Sequence, residues 1–319
     1  MEKQYYDNLT VSAAPHLVSK ISTQKIMSLV LIALVPAFGV GIYNFGYRVI
    51  TLTLVCIIAS VAFEWLFNKA LKRSQTVSDC SAVLTGVLLA FNLPSNFPYW
   101  MAVIGCFVAI IIVKQLFGGI GQNIVNPAVT ARIVLFISFS TEMSTWPLAR
   151  GAAAGTDAVT GPTPLGIAAL GGGELPSNMS MFVGTIGGCI GEVSALALLV
   201  GGIFLIWTRV ISPIIPICFL GTMVIISLAA GVDPIFHLCA GGAMLGAFFC
   251  ATDYVTSPLL PKGKIIFGIG CGIFTMIIRL WGSYPEGVSF AILLMNILTP
   301  HIDNFCTKHL YKGGSDNEK

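Results

Sequence analysis

The chain alternates long charge-free intervals with short charged breaks. Lys25 to Arg48 brackets one apolar run, near residues 26–46, and Arg48 to Lys69 brackets a second, interrupted only by Glu64. A helix needs roughly 20 apolar residues to cross a hydrocarbon core of about 30 Å, so each interval predicts one membrane span. The uncharged stretch from Asp79 to Lys114 is too long for one helix. Asn92-Leu-Pro-Ser-Asn-Phe-Pro98 within it has turn chemistry, which splits it into spans near 81–93 and 98–117. A fifth span is expected near 124–140, after Asn126-Pro127, because proline at a helix start sacrifices no hydrogen bond. Further apolar runs predict spans near 181–207, 211–231, 234–251, 264–282 and 287–301, ten in all.

Residues 141–180 break the pattern. They are rich in Gly, Pro, Ser and Thr, and a polar loop of this length is usually functional or disordered. The loop divides the chain into an N-terminal tail (1–25), a first five-helix unit (26–140), the loop itself, a second five-helix unit (181–301) and a C-terminal tail (302–319). The segment from Asp79 through Gly118 has a loose counterpart from Asp233 through Gly282. Each opens with an acid, continues as a short apolar run, breaks and resumes. With five spans per unit the second must insert upside down, giving an all-α polytopic membrane protein of two inverted repeats with some helices broken. No apolar core suited to a cleavable signal precedes position 26. Lys and Arg placement, thirteen on one side against three (Arg48, Arg150 and Arg279) on the other, puts both termini in the cytoplasm and the 141–180 loop outside.

Composition agrees. Hydrophobic residues make up 55% and charged residues 10% of the 319 positions, against about a quarter charged in soluble domains. A soluble enzyme, a disordered chain and a disulfide scaffold are excluded. The net charge of +3 is too small and scattered for nucleic-acid binding. Seven of the nine cysteines lie in apolar runs, where cysteine behaves as a small hydrophobe, and no Cys-x-x-Cys occurs, so no metal site is expected. Gly268-Ile-Gly270-Cys-Gly272 lies inside a span, which favours close helix packing over a dinucleotide cradle.

The loop contains Asp157-Ala-Val-Thr160-Gly161-Pro162-Thr163-Pro164-Leu165. This pattern resembles the family that includes the D subunit of the Rnf complex and the B subunit of the sodium-pumping NADH:quinone reductase, which carries Asp-x-x-Ser/Thr-Gly-Ala-Thr in such a loop. Thr160 stands where Ser is common, and Pro162 where Ala is usual. Ala14-Pro15-His16, Ser22-Thr23, Met27, Gly118-Gly119 and the run from Asn123 to Ala128 are also similar, so the likeness spans nearly the whole chain. The length and short tail are nearer the Rnf branch of the family.

The resemblance implies an electron-transfer subunit of a ferredoxin:NAD oxidoreductase in the inner (cytoplasmic) membrane, coupling electron flow to Na⁺ or H⁺ export. It implies FMN joined to Thr163 through a phosphodiester, attached by a flavin transferase, with room for a second, noncovalent flavin. Asp157, Thr160 and Gly161 would form the attachment motif, and Arg150 would help position the flavin. Iron–sulfur and flavin subunits would be partners, without which the chain is not active. A tethered carrier also gains effective concentration, so no nucleotide cradle is needed. Two other readings are a flavin-free inverted-repeat channel or transporter for a small polar solute such as urea, and a purely structural membrane subunit.

Ionisable residues inside spans are expensive and often functional. Glu192, about eleven residues into the sixth span, reads either as part of an ion pathway or as a structural acid at a glycine break. Arg132, within the fifth span, is expected to pair with an acid of the other half or to meet an anion. Asp79 and Asp233 sit at span ends, where capping is the default. They also open the two units, which makes them ion-pathway candidates. His16, His237, His301 and His309 show no ligand spacing.

Overall fold

The computed structural model describes residues 22–150, 160–161, 163–170, 175–282 and 286–311. Among the described residues, four helices are long and apolar enough to cross a membrane: α1 (Thr23–Phe45), α2 (Tyr47–Ala70), α13 (Pro261–Trp281) and α14 (Val288–Tyr311). Between them lie shorter apolar helices: α3 (Ser81–Phe91), α4 (Tyr99–Phe107), α5 (Pro127–Ser138), α9 (Ala195–Trp207) and α10 (Ile214–Ala229). This is a multi-pass membrane protein. Large apolar side chains such as Ile58, Trp207 and Trp281 point outward from the bundle, where lipid rather than water is the solvent.

Local chemistry sets the helix ends. The Ser22 hydroxyl accepts from the Lys25 N–H at 3.2 Å to open α1. Gly46, at φ 74°, turns the chain sharply into α2. Asn126 caps α5, its Oδ1 accepting from the N–H groups of Ala128 and Val129, with Pro127 in the first turn. Ser194 caps α9 through the Ala197 N–H.

Helices approach closely where glycine removes the side chain. A Cβ on Gly86 of α3 would lie 2.8 Å from the Cys56 carbonyl oxygen of α2. Gly268 and Gly272, one turn apart on α13, face Cys218 and Thr222 of α10, at 2.8 and 2.7 Å by the same measure. The Gly268 to Gly272 run is thus a packing stripe, as its position in a span predicts. Gly201 of α9 lies on the Ala33 carbonyl of α1, and α5 packs on α14.

The breaks are where the structure departs most from simple spans. A continuous span over 181–207 is expected, but α8 (Asn178–Val183) stops at Gly184, and the chain is irregular until α9 begins at Ala195. The cause is the glycine spacing. Gly184 sits at φ 107°, and a Cβ on Gly191 would collide with the Phe91 ring. The freed backbone groups are satisfied by the other break: Ile190 N–H donates to Leu93 O at 3.1 Å and Gly191 N–H to Phe91 O at 2.9 Å. Irregular backbone at membrane depth survives only when protein supplies such partners. The expected 234–251 span is likewise divided, into α11 (Pro234–Cys239) and α12 (Ala243–Leu245), by Ala240, Gly241 and Gly242; both glycines have positive φ. Two π-helical stretches, Val108–Gln115 after α4 and Gly246–Cys250 after α12, add wide turns.

The 141–180 segment is expected as a loop but carries structure. It holds α6 (Ser140–Met143), a two-residue ladder of β1 (Trp146–Pro147) with β2 (Thr160–Gly161), and α7 (Pro164–Leu170).

Candidate functional site

Thr163 stands immediately before α7. Its Oγ1 accepts from the Gly166 N–H at 3.1 Å, and its carbonyl accepts from Ile167 N–H. The side chain is buried, with 6% exposure. Thr160 is exposed and pairs with Pro147 in the ladder, while Gly161 pairs with Trp146. A Cβ on Gly161 would lie 3.0 Å from Leu148 Cδ2, a tight contact with the end of a flexible side chain. Arg150 is exposed at the loop's start. Asp157 lies outside the described residues.

Leu165 fastens α7 to the bundle. It joins a small buried cluster with Met181, Ile186, Phe236, Cys239 and Ala240. Beneath it, Arg279 of α13 closes the break after α11. Its guanidinium donates to His237 O at 2.5 Å, Ala240 O at 2.8 Å and Gly241 O at 3.1 Å. Arg279, expected at the outer boundary, is buried and caps carbonyls that no helix satisfies.

Glu192 lies in the irregular segment rather than inside a continuous helix. Its Oε1 stands 3.1 Å from Arg132 Nη2 of α5. The same guanidinium pairs with Glu286, which precedes α14, and Nη1 donates to Ser289 Oγ at 2.7 Å. Arg132 therefore pairs with acids from beyond the loop, as one of its two readings holds. Cys189 Sγ and one oxygen each of Glu192 and Glu286 lie within 4.8 Å of one another, but the Arg132 guanidinium occupies their midst. Gly242 presses on the Glu192 carboxyl, where a Cβ would lie 2.6 Å from Oε1.

The two span-end acids take the capping role. Asp79 Oδ1 accepts from the N–H and the hydroxyl of Ser81. Exposed Asp233 caps α11 through the Ile235 N–H and accepts from Asn178 Nδ2 at 2.6 Å. The Asn178 bond, aided by those backbone N–H groups, holds the Asp233 carboxyl below its ordinary range.

A second ionic centre is absent from the sequence reading. Lys114 Nζ lies 3.1 Å from both oxygens of Glu64 and donates to Ser81 Oγ at 2.6 Å. Glu64 also accepts from Gln115 Nε2 and from Thr76 Oγ1. The π-helical turn ending at Gln115 lets two successive side chains reach one carboxylate. Glu64 reads only as an interruption of its span and Lys114 as a boundary charge. The overlooked signal is that each follows an unbroken apolar run, where a charge needs a partner. Glu286 and His237 carry no comparable signal. Ser81 and Lys114 open onto a cavity of about 100 Å³, walled by Leu84 and Leu88 of the first unit and by Phe248 and Phe249 of the second.

A membrane bundle with broken helices, buried ion pairs at the breaks and an anchored threonine loop defines the class. The family model described as "NQR2, RnfD, RnfE family" matches residues 10–312, and the chain belongs to that family. It is 52% identical over 310 residues to the D subunit of the Na⁺-translocating ferredoxin:NAD⁺ oxidoreductase complex of Acetobacterium woodii, covering 95% of each chain. It is 44% identical to the D subunit of the proton-translocating ferredoxin:NAD⁺ oxidoreductase complex of Clostridium ljungdahlii, covering 95% of this chain and 96% of that one. The D subunit of the ion-translocating oxidoreductase complex of Stutzerimonas stutzeri is 40% identical, with 91% and 92% covered.

Proposed function

We propose that the chain is the electron-transferring D subunit of an ion-translocating ferredoxin:NAD⁺ oxidoreductase, with FMN joined to Thr163 by a phosphodiester. The observation that carries this is the likeness to such D subunits over 95% of the chain, together with Thr163 at the end of the Asp157 to Thr163 spacing. The threonine suits the group chemically. Its hydroxyl oxygen accepts from Gly166 N–H, and an ester oxygen, which cannot donate, can keep that bond. When bound, the flavin would supply a one- or two-electron carrier. The chain's own part is to hold its anchor on α7, which Leu165 fixes against α11, and to keep the bundle beneath it closed through Arg279.

The architecture that accompanies this reading is ten spans in two inverted units in the cytoplasmic membrane, with both termini inside and the loop outside. Matching packing supports it: α2 lies on α4 in the first unit as α10 lies on α13 in the second, and α1 meets α9 as α5 meets α14 across the units. Buried Glu192, with Arg132 and Glu286, would belong to the ion path. Export of a cation requires that its affinity differ between redox states, and charge near these carboxylates is one way to achieve that. The relatives' names include both Na⁺ and protons, so the ion is left as a monovalent cation. Iron–sulfur and flavin subunits and a flavin transferase would be its partners, and any second, noncovalent flavin would be separate from Thr163.

The test is denaturing electrophoresis of the protein produced with its transferase, scanned for flavin fluorescence, with a mass measurement of the Thr163 peptide. A bright band that Thr163→Val abolishes is expected. A dark wild-type band would remove the flavin reading and leave the solute-channel and purely structural readings.

A further inference from the structure

The C-terminal end of α2, cytoplasmic in the orientation proposed above, gathers three cations without acids. Lys69, Lys72 and Arg73 are exposed within five positions, and among the described residues no carboxylate pairs with any of them. The protein itself holds them in place. The Lys69 ammonium lies 4.5 Å over the Trp65 ring, and Arg73 stands over Phe67 and donates to the Gln115 carbonyl. Lys72 ends the helix in the left-handed region, at φ 53°. Helices α9 and α10 end in the same hydrogen-bonded turn, with Arg209 at φ 58° and Gly231 at φ 71° in the corresponding position. Glycine adopts that conformation freely, whereas a residue with a side chain is strained there. The outer end of α10 thus uses glycine, while both inner ends keep a cation. Attraction to the helix C-terminus offsets part of the strain, but in α2 Lys69 of the last turn already supplies it.

Trp65 and Gln75, which flank these cations in the chain, line an apolar groove of about 440 Å³ together with Ile57, Ile58, Val61 and Val77. At Ile57 it meets a second groove, of about 230 Å³, which runs between α1 and α2 and reaches Leu54. Trp65 and Leu54 are eleven residues apart, or about 16 Å of helix. One leaflet, half of a hydrocarbon core of about 30 Å, is about as deep. We propose that this track is a binding site for one anionic phospholipid of the cytoplasmic leaflet, with an acyl chain in the groove and the phosphate on Lys69, Lys72 and Arg73. Charge complementarity selects the headgroup, because ammonium and guanidinium donors without a carboxylate are matched by phosphate oxygens. The groove fixes the depth at which that phosphate arrives. Trp65 joins the two parts, its ring in the groove and one face toward Lys69, as suits an amphipathic ring at a membrane boundary. The site draws on the proposed orientation only to name the leaflet, and it is independent of the flavin.

The experiment reconstitutes the full chain in phosphatidylcholine vesicles that hold a small fraction of lipid brominated on its acyl chains, a quencher of nearby tryptophan. The brominated lipid is either phosphatidylglycerol or phosphatidylcholine, at equal mole fraction. Both leaflets carry it, so the outcome does not depend on orientation. Comparison with Trp65→Phe isolates Trp65 from the other tryptophans. Brominated phosphatidylglycerol should quench Trp65 several-fold more than brominated phosphatidylcholine, and high salt should shrink the difference. The combined Lys69→Gln, Lys72→Gln and Arg73→Gln variant should abolish the preference. Lys262→Gln with Lys264→Gln, at the inner end of α13, should leave it intact, which separates a built site from the general attraction of a basic membrane face. Lys72→Gly removes one cation and relieves the left-handed strain, so it should raise the thermal midpoint in pure phosphatidylcholine and weaken the preference. Should the triple variant fail to fold, Lys72→Gly decides. Equal quenching of wild-type Trp65 by the two lipids would overturn the proposal. So would an undiminished preference in Lys72→Gly, or a loss in the Lys262 and Lys264 variant as large as in the triple variant.

Discussion

Lys114 and Glu64, fifty positions apart, form an ion pair with the ammonium 3.1 Å from both carboxylate oxygens and almost no exposure on either side chain. The pair ties the end of the α4 π-turn to α2. Removing one partner strands the other charge at a cost of about 3–5 kcal/mol, whereas replacing both with apolar residues is often neutral. Lys114→Met should therefore lower the thermal midpoint of the detergent-solubilised protein markedly. Glu64→Leu combined with Lys114→Met should recover most of it. Equal stability of Lys114→Met and wild type would show that the carboxylate reaches water.

Arg132 carries a heavier duty, because it faces two carboxylates, Glu192 and Glu286, from different parts of the chain. Arg132→Met leaves both acids buried without their shared cation. Glu192→Gln still leaves Arg132 paired with Glu286. The first should lose about 3–5 kcal/mol and the second clearly less. Chemical denaturation of the two variants, followed by tryptophan fluorescence, checks the order; a reversal would mean that Arg132 is not what neutralises the cluster.

The glycines of α13 separate two kinds of close approach. On Gly272 an added methyl would meet Thr222 Cβ and the Phe219 carbonyl at 2.7 and 2.9 Å, both held by α10. On Gly270 it would meet the flexible end of Met295. Gly272→Ala should cost about 1–3 kcal/mol as overpacking. Gly270→Ala should be tolerated, since replacing glycine within a helix itself stabilises. Thermal midpoints of the two single variants test this.

At the outer rim, Asn178 and the capping N–H groups stabilise the ionised form of Asp233. Its carboxyl titrates lower when folded than when unfolded. The contribution to stability is therefore complete above the unfolded value of about 3.9 and is lost as pH falls through the folded value. Asn178→Ala should raise the carboxyl's titration point and shrink the acid-induced loss of stability, read as the difference in thermal midpoint between neutral and acidic pH.

Much of this organisation is legible in one dimension. Charge-free intervals mark the apolar helices because lipid excludes charge. Asn92 to Pro98 marks a break because its residues favour turns, and Asn126, Asp79 and Asp233 cap the turns that follow them. The loop motif ending at Thr163 stands out only through its resemblance to the family's Asp-x-x-Ser/Thr-Gly-Ala-Thr pattern. These features are local: each depends on a few neighbouring residues and on the solvent around them.

What only the folded chain decided is which distant groups meet. Nothing near Glu64 names Lys114 as its partner, and nothing near Arg132 names Glu286, 154 positions away. The break at Gly184 to Ser194 is stable because Phe91 and Leu93 lend their carbonyls, and the break after α11 because Arg279 arrives from another helix. Buried polar groups must find partners wherever the packing offers them, and packing is a property of three-dimensional neighbours that sequence order does not encode.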